Sequence, residues 1–294
     1  MNNITYVGAT TPKENYTTAK AYAVYVVNST VAMPNNILDI TVPSLSADWE
    51  EVPPGSWNYV RHAYTEGVVF DGCDDSSLSD NNISLGYSEG SYGSIYVVDV
   101  LGSDNFDIIG NTIVGTGEGY LYGIIIEGEN FNIVNNTIYS TSIVYANGID
   151  IEGTSNGVID SNSITADADS SSYPIYGGMT GPVSCEITNN GISGSAFFGV
   201  GIELGGEDLV IDGNNIILEG NYTIAVGVKV DNLVVNSNTL ISNATNTGDA
   251  SSVWDSVGTD TTGIKSKKGN AVYTESAFFK LYRVLGKLLP HNLV

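Results

Sequence analysis

The sequence predicts an all-β chain wound as a right-handed parallel β-helix, and three observations carry that reading. Six octets align without gaps: FDIIGNTI (106–113), FNIVNNTI (131–138), GVIDSNSI (157–164), CEITNNGI (185–192), LVIDGNNI (209–216) and LVVNSNTL (233–240). Their sixth position is always asparagine: Asn111, Asn136, Asn162, Asn190, Asn214 and Asn238, spaced 25, 26, 28, 24 and 24 residues apart. A second element lies upstream of most octets, as GIIIEG (123–128), GIDIEG (148–153), GIELGG (201–206) and GVKVDN (227–232), with a degenerate form IYVVDV (95–100).

The third observation is size. A unit of about 25 residues holds two or three short strands and cannot bury its own apolar face, so copies must stack. Stacking places each strand about 4.8 Å from its equivalents in a parallel sheet. The apolar third and eighth octet positions then form columns inside the coil. The asparagines at one fixed corner form an amide ladder from coil to coil. Asparagine also tolerates the left-handed backbone such corners need. In the GIxIEG elements apolar residues alternate with other types at period two, which marks strands with one buried face.

The elements follow in order. Residues 1–62 carry short β-like runs at Ala21–Val27 and Ile37–Ile40, ended by Pro53-Pro54-Gly55. They read as an N-terminal cap or irregular first coil over an otherwise open sheet edge. Residues 63–245 are the coils. Residues 246–262 are rich in Thr, Gly, Asp and Ser and read as a linker. Within 246–294, Ala271–Leu289 shows helical period: Phe278, Leu281, Tyr282, Leu285, Leu288 and Leu289 share one face, with Lys280, Arg283 and Lys287 opposite. This C-terminal amphipathic helix is expected to cap the last coil or to contact a partner or membrane surface.

Charge narrows the partners. The chain has 33 Asp plus Glu against 10 Lys plus Arg, a net charge of −23. Such a surface repels phosphate backbones, which argues against nucleic acid. From Ala63 to Thr262 the one basic residue is Lys229. No apolar run is long enough to span a membrane. Cys73 and Cys185 lie about four coils apart and are expected to be free thiols. The N-terminus lacks a signal-peptide pattern, and there are seven Asn-x-Ser/Thr sequons. An extracellular or cell-surface protein, as a piece of a longer exported chain, fits both.

Coils of G-I-x-I-x-G followed by I-x-x-N-x-I resemble the pectate-lyase-like superfamily, especially the NosD-type carbohydrate-binding and sugar-hydrolase repeats. The Asn- and Thr-rich, acidic, Lys-poor character also resembles adhesin-like surface proteins of methanogenic archaea. The resemblance spans roughly residues 63–245 and implies a fold rather than one activity, since the superfamily contains lyases, hydrolases, epimerases and non-catalytic proteins. Lyases of the superfamily use Arg or Lys as base; the coils offer Lys229 alone. The Gly-His-Gly and Arg-x-Lys of polygalacturonase-like sites are absent, as is the Asp-Pro-His-Glu of epimerase-like sites. His62 and His291 fall in the end segments.

What the coils do offer is acid and tyrosine. Alternation turns the third and fifth positions of each GIxIEG strand outward. Asp99, Glu127, Asp150, Glu152, Glu203 and Asp231, with Lys229, then form an acidic strip on successive coils. The strip reads as a solvated surface, as a cation site for which calcium is the candidate, or as the paired carboxylates of a glycosidase. No other cofactor is expected. Tyr120, Tyr122, Tyr145, Tyr173 and Tyr176 (with Tyr139 and Tyr222) fall near strand ends and loops, where a flat ring can stack on a sugar. The expectation is a non-catalytic, adhesin-like surface protein that binds glycans or cell-surface polymers. A glycoside hydrolase with paired carboxylates is the alternative, and a structural spacer of a longer surface protein the third. The case against catalysis is that glycines flank these acids and supply little wall to desolvate them.

Overall fold

The computed structural model describes residues 3–7, 19–42, 49–51, 57–59, 63–87, 93–178, 184–244, 250–255 and 265–266. The chain is a parallel β-solenoid. Each coil contributes one strand to each of three faces, and every strand pairs in parallel with its copy one coil away. The first face stacks Ala19–Val27, Ala63–Asp71, Ser94–Leu101, Tyr120–Glu129, Tyr145–Ser155 and Ser171–Gly178. The second stacks short strands such as Asp107–Ile109, Asn132–Val134, Gly157–Asp160 and Cys185–Thr188. The third stacks Asn82–Tyr87, Thr112–Thr116, Thr137–Ser142 and Ser163–Ala168. Toward the C-terminus the corners smooth out: Gly191–Asp212 and Asn215–Asn236 run through all three faces as continuous paired strands.

The octet columns are the core. Ile108, Ile133, Ile159, Ile187 and Ile211 lie inside, as do Ile113, Ile138, Ile164, Ile192 and Ile216. The first octet position adjusts its size to its neighbours: Phe106 and Phe131 are fully buried, and Gly157 follows them. A Cβ on Gly157 would stand 1.9 Å from the Phe131 ring, so glycine there makes room for the phenylalanine of the coil below.

The asparagine ladder extends further than the octets suggest. It begins at Asn36 and Asn81, two coils before Asn111. In each step the side-chain Nδ2 donates to the Oδ1 of the next asparagine at 3.0 Å. The same Oδ1 also accepts the backbone N–H of the preceding rung at 2.8–2.9 Å. The left-handed backbone falls one residue earlier than expected. Asp80, Gly110, Asn135, Ser161, Asn189, Gly213 and Ser237, each just before a ladder asparagine, have φ of 51–70°. The ladder residue satisfies the corner, and its predecessor turns it.

Residues 19–42 are a coil of the solenoid, because Ala19–Val27, Ala32–Pro34 and Ile37–Val42 pair with the equivalent strands of the next coil. Asn3–Val7 pairs in parallel with Ile37–Val42 at that end. Trp49–Glu51 and Trp57–Tyr59 form an antiparallel pair. At the other end the segment expected as a linker contains a strand, Ala250–Asp255, which pairs with Asn215–Asn236. The helix expected over 271–289 lies outside the described residues. No helix among the described residues is long and apolar enough to cross a membrane.

Cys73 and Cys185 are buried and unbridged. Burial raises the Cys185 thiol well above its ordinary value. Thiol reagents are therefore expected to find neither cysteine in the folded protein and both after unfolding without reductant. Finding no thiol in the unfolded monomer would contradict the coil register.

Candidate functional site

The first face is bent. Position 67 is glycine, and so are 123, 148 and 201, the residues that open three of the GIxIEG elements. At Gly148 a Cβ would lie 2.5 Å from the Pro174 carbonyl of the next coil, and at Gly123 2.6 Å from the Gly148 carbonyl. Here the strand changes direction, and at these glycines a Cβ would collide with the carbonyl of the next coil. In a straight strand residues three apart lie about 10 Å from one another and point to opposite faces. Across this bend they meet. Asn147 Nδ2 donates to Asp150 Oδ2 at 3.0 Å. The Tyr173 and Tyr176 rings meet edge to face at 5.3 Å, and Tyr22 and Tyr25 meet at 4.8 Å. Two outward rows therefore converge, and the face is a groove running along the solenoid axis.

Register assigns the walls. One wall carries Glu66, Tyr96, Tyr122, Asn147 and Tyr173 on consecutive coils. The other carries Val69, Asp99, Ile125, Asp150, Tyr176 and Glu203. Beyond the first wall lie Tyr120 and Tyr145, paired in register; beyond the second lie Glu127 and Glu152, also paired. The aromatic rings form a run. Tyr96 and Tyr122 stack at 5.0 Å and 8°, Tyr122 reaches Tyr145 at 5.6 Å, Tyr145 reaches Tyr173 at 5.2 Å, and Tyr173 reaches Phe198 at 6.0 Å.

The acids differ from a solvated strip. Asp99, Asp150 and Glu203 are buried, and they stand on alternate coils with Ile125 and Tyr176 between them. Their Cα atoms are thus about 10 Å apart, twice the coil spacing. Glu127 and Glu152 are exposed and adjacent. Asp231 does not join them. The column of Asp150 and Glu203 arrives at Gly227, because Ala225 rather than Gly227 occupies the bend, so Lys229 and Asp231 are displaced along the strand. Among the described residues, no three His, Cys, Asp or Glu side chains gather to hold a metal ion.

Burial reshapes the electrostatics. Asp150 is 4% exposed. Desolvation, then the nearby Glu152 charge, push its carboxyl up to about 8. Glu152 is also raised, by partial burial and then by Glu127. Tyr122 and Tyr145 are driven well above the usual phenol range, chiefly by burial and with Asp150 contributing. Tyr176 is pushed up to about 12, by burial and then by Glu203 and Asp150. Tyr122, Tyr145 and Tyr176 thus all lie within electrostatic reach of Asp150. The wall that flanking glycines do not supply comes from Tyr145 of the same strand and Tyr122 and Tyr176 of the coils on either side.

Tyr120, Tyr122, Tyr145, Tyr173 and Tyr176 are therefore on the strands of one face rather than in loops. Tyr139 stands apart on the third face, exposed. Tyr222 meets Phe197 at 5.3 Å near the end of the aromatic run. Sequence reasoning missed Tyr96, Asn147 and Phe198. The signal for Asn147 was the glycine that follows it, read as a turn marker rather than as a bend that gathers residues three apart.

Among solved structures, the Dettilon tailspike protein is similar to this chain at 10% sequence identity and a TM-score of 0.35, over 86% of this chain and 62% of the tailspike. The chain thus spans less than two thirds of that protein's length. No family model matches the chain, and no curated protein matches it.

Proposed function

We propose that the groove of the first face binds a neutral glycan and that the protein displays it at a cell surface in the manner of an adhesin. One observation carries the reading: tyrosine rings from four consecutive coils, Tyr96, Tyr122, Tyr145 and Tyr173, are linked ring to ring along the groove. A polymer lying along the axis meets a tyrosine side chain at every coil, about 4.8 Å apart. The phenol hydroxyls, Asn147 and the carboxyls of Asp99, Asp150 and Glu203 supply hydrogen-bonding groups beside those rings. The groove rows contain no Lys or Arg, which disfavours uronates and sulfated sugars.

The test is a glycan array with the whole chain, followed by titration of the best ligands. Neutral oligosaccharides are expected to bind, and Tyr145→Ala is expected to weaken them about tenfold, the cost of about 1.4 kcal/mol for one stacking contact. Polygalacturonate is expected to bind less than neutral polymers. Absence of binding to any neutral glycan, or binding unaffected by Tyr145→Ala and Tyr122→Ala together, would overturn the reading.

A further inference from the structure

We propose that the groove also cleaves the glycan it holds, by hydrolysis of a glycosidic bond with Asp150 as proton donor and Glu152 as the base that activates water. This inference rests on the glycan-binding reading and adds a reaction to it.

The geometry begins with two carboxyls of one strand. Asp150 and Glu152 are two residues apart, so both project from the outer side, with Cα atoms about 7 Å apart. An inverting glycosidase needs its two carboxyls roughly 6.5–9.5 Å apart, with room for water between substrate and base. Their surroundings separate their roles. Asp150 is buried, beside Tyr122, Tyr145 and Tyr176, and so keeps its proton near neutral pH. Glu152 is exposed to solvent and can meet water. A buried acid that keeps its proton, two residues from a carboxyl that faces solvent, is the arrangement that acid–base hydrolysis requires.

A second observation points to a ligand at the same place. Asn147 is fully buried on the wall between Tyr122 and Tyr173. Its Nδ2 holds Asp150 Oδ2, while its Oδ1 has no hydrogen-bond partner among the described residues. A buried acceptor left open costs stability. A saccharide hydroxyl entering beside the two tyrosines supplies the donor, and Asn147 then couples substrate position to the orientation of the Asp150 carboxyl. Asn147 is a positioning residue in this scheme.

The step balances with water as the one co-reactant. The bond between the anomeric carbon and the glycosidic oxygen breaks, and that oxygen takes the Asp150 proton. The water oxygen bonds the anomeric carbon from the opposite side, and its proton passes to Glu152. The anomeric configuration inverts. Exchange with solvent restores both carboxyls. The substrate class is a neutral polysaccharide, because a uronate in this groove would face Asp99, Asp150, Glu152 and Glu203 with no Lys or Arg in either wall among the described residues.

The experiment uses the whole chain and reducing-end-labelled gluco-, manno-, galacto-, xylo- and N-acetylglucosamine oligosaccharides. Those retained in a binding assay are incubated with the protein, and products are followed by mass and by NMR of the new anomeric centre. Shorter oligosaccharides with inverted anomers are expected. Asp150→Asn is expected to slow cleavage by at least about 100-fold while the variant still binds and melts no lower than wild type, which separates loss of chemistry from loss of fold. Glu152→Gln is expected to slow it as well and to remove the acid limb of the pH–rate profile. Retained oligosaccharides that stay intact overturn hydrolysis and leave the binding reading standing. Failure to retain any of them overturns both. Cleavage that persists in both variants overturns the assignment of the two acids.

Discussion

Raising the pH from 4 to 8 is expected to lower the stability of the wild-type chain, and Asp150→Asn is expected to remove most of that fall. Asp150 has an ordinary value of 3.8 and stands at about 8 in the fold. Between those values the unfolded chain releases the proton and the folded chain keeps it. The folded state therefore binds more protons, and stability declines as pH rises through the window. Below pH 4 the carboxyl is neutral in both states and costs nothing. Above about 8 the full cost is present. Four units at about 1.4 kcal/mol each give a cost on the order of 5 kcal/mol, a large fraction of a domain's net stability. The repulsion among the other carboxylates acts on wild type and variant alike, so the difference between their curves isolates Asp150. Urea melts at pH 4, 6 and 8 check this. The variant should match wild type near pH 4 and exceed it at pH 8; parallel curves would contradict the buried, neutral acid.

The second large effect lies in the ladder. Asn162→Leu is expected to destabilise by about 3–5 kcal/mol. Asn162 Oδ1 accepts the Asn136 backbone N–H at 2.8 Å and Asn136 Nδ2 at 3.0 Å. Its Nδ2 donates to the Ile133 carbonyl at 2.8 Å and to Asn190 Oδ1 at 3.0 Å. Leucine has the same number of side-chain heavy atoms, though bulkier ones, and leaves the Asn136 N–H without its partner in a corner that water does not reach, and the Ile133 carbonyl without its side-chain donor. Each unpaired group costs about 1–3 kcal/mol. Glu186→Ala, an exposed change in the neighbouring coil, is the control and should move the urea midpoint little. A midpoint unchanged in Asn162→Leu would remove the ladder from the account of what holds the coils together.

The parts of the fold that the sequence discloses are those where one residue type does one job at fixed spacing. Asn111 through Asn238 and the isoleucine columns have that character. Asn36 and Asn81 do the same job, yet they stand 45 and 30 residues from the next rung, and their octets carry Met33 and Leu78 where later coils carry isoleucine. Long insertions and interchangeable apolar residues hid them. The strand Ala250–Asp255, which pairs with Asn215–Asn236, follows a Thr-, Asn- and Gly-rich run and lacks the octet pattern, so the repeat did not disclose it.

The groove was half legible. Alternation at period two turns Glu127, Asp150, Glu152 and Glu203 to one side, but alternation describes a straight strand. At the glycine bend, two successive residues stay inside, and the outward rows on either side close on each other. That is why Asp150 meets Asn147, why it is buried rather than solvated, and why the tyrosines wall it. Asp231 failed for the related reason that GVKVDN matches the motif by letters while Ala225, two residues earlier, takes the bend.

The protonation of Asp150 is the point on which the groove's chemistry turns, and side-chain carboxyl NMR reads it directly. In protein labelled with ¹³C at aspartate side chains, the Asp150 resonance is identified by its loss in Asp150→Asn and then titrated with pH. This carboxyl is expected to stay protonated through pH 6 and to titrate near 8. A midpoint near 4, like that of an ordinary surface aspartate, would contradict this expectation.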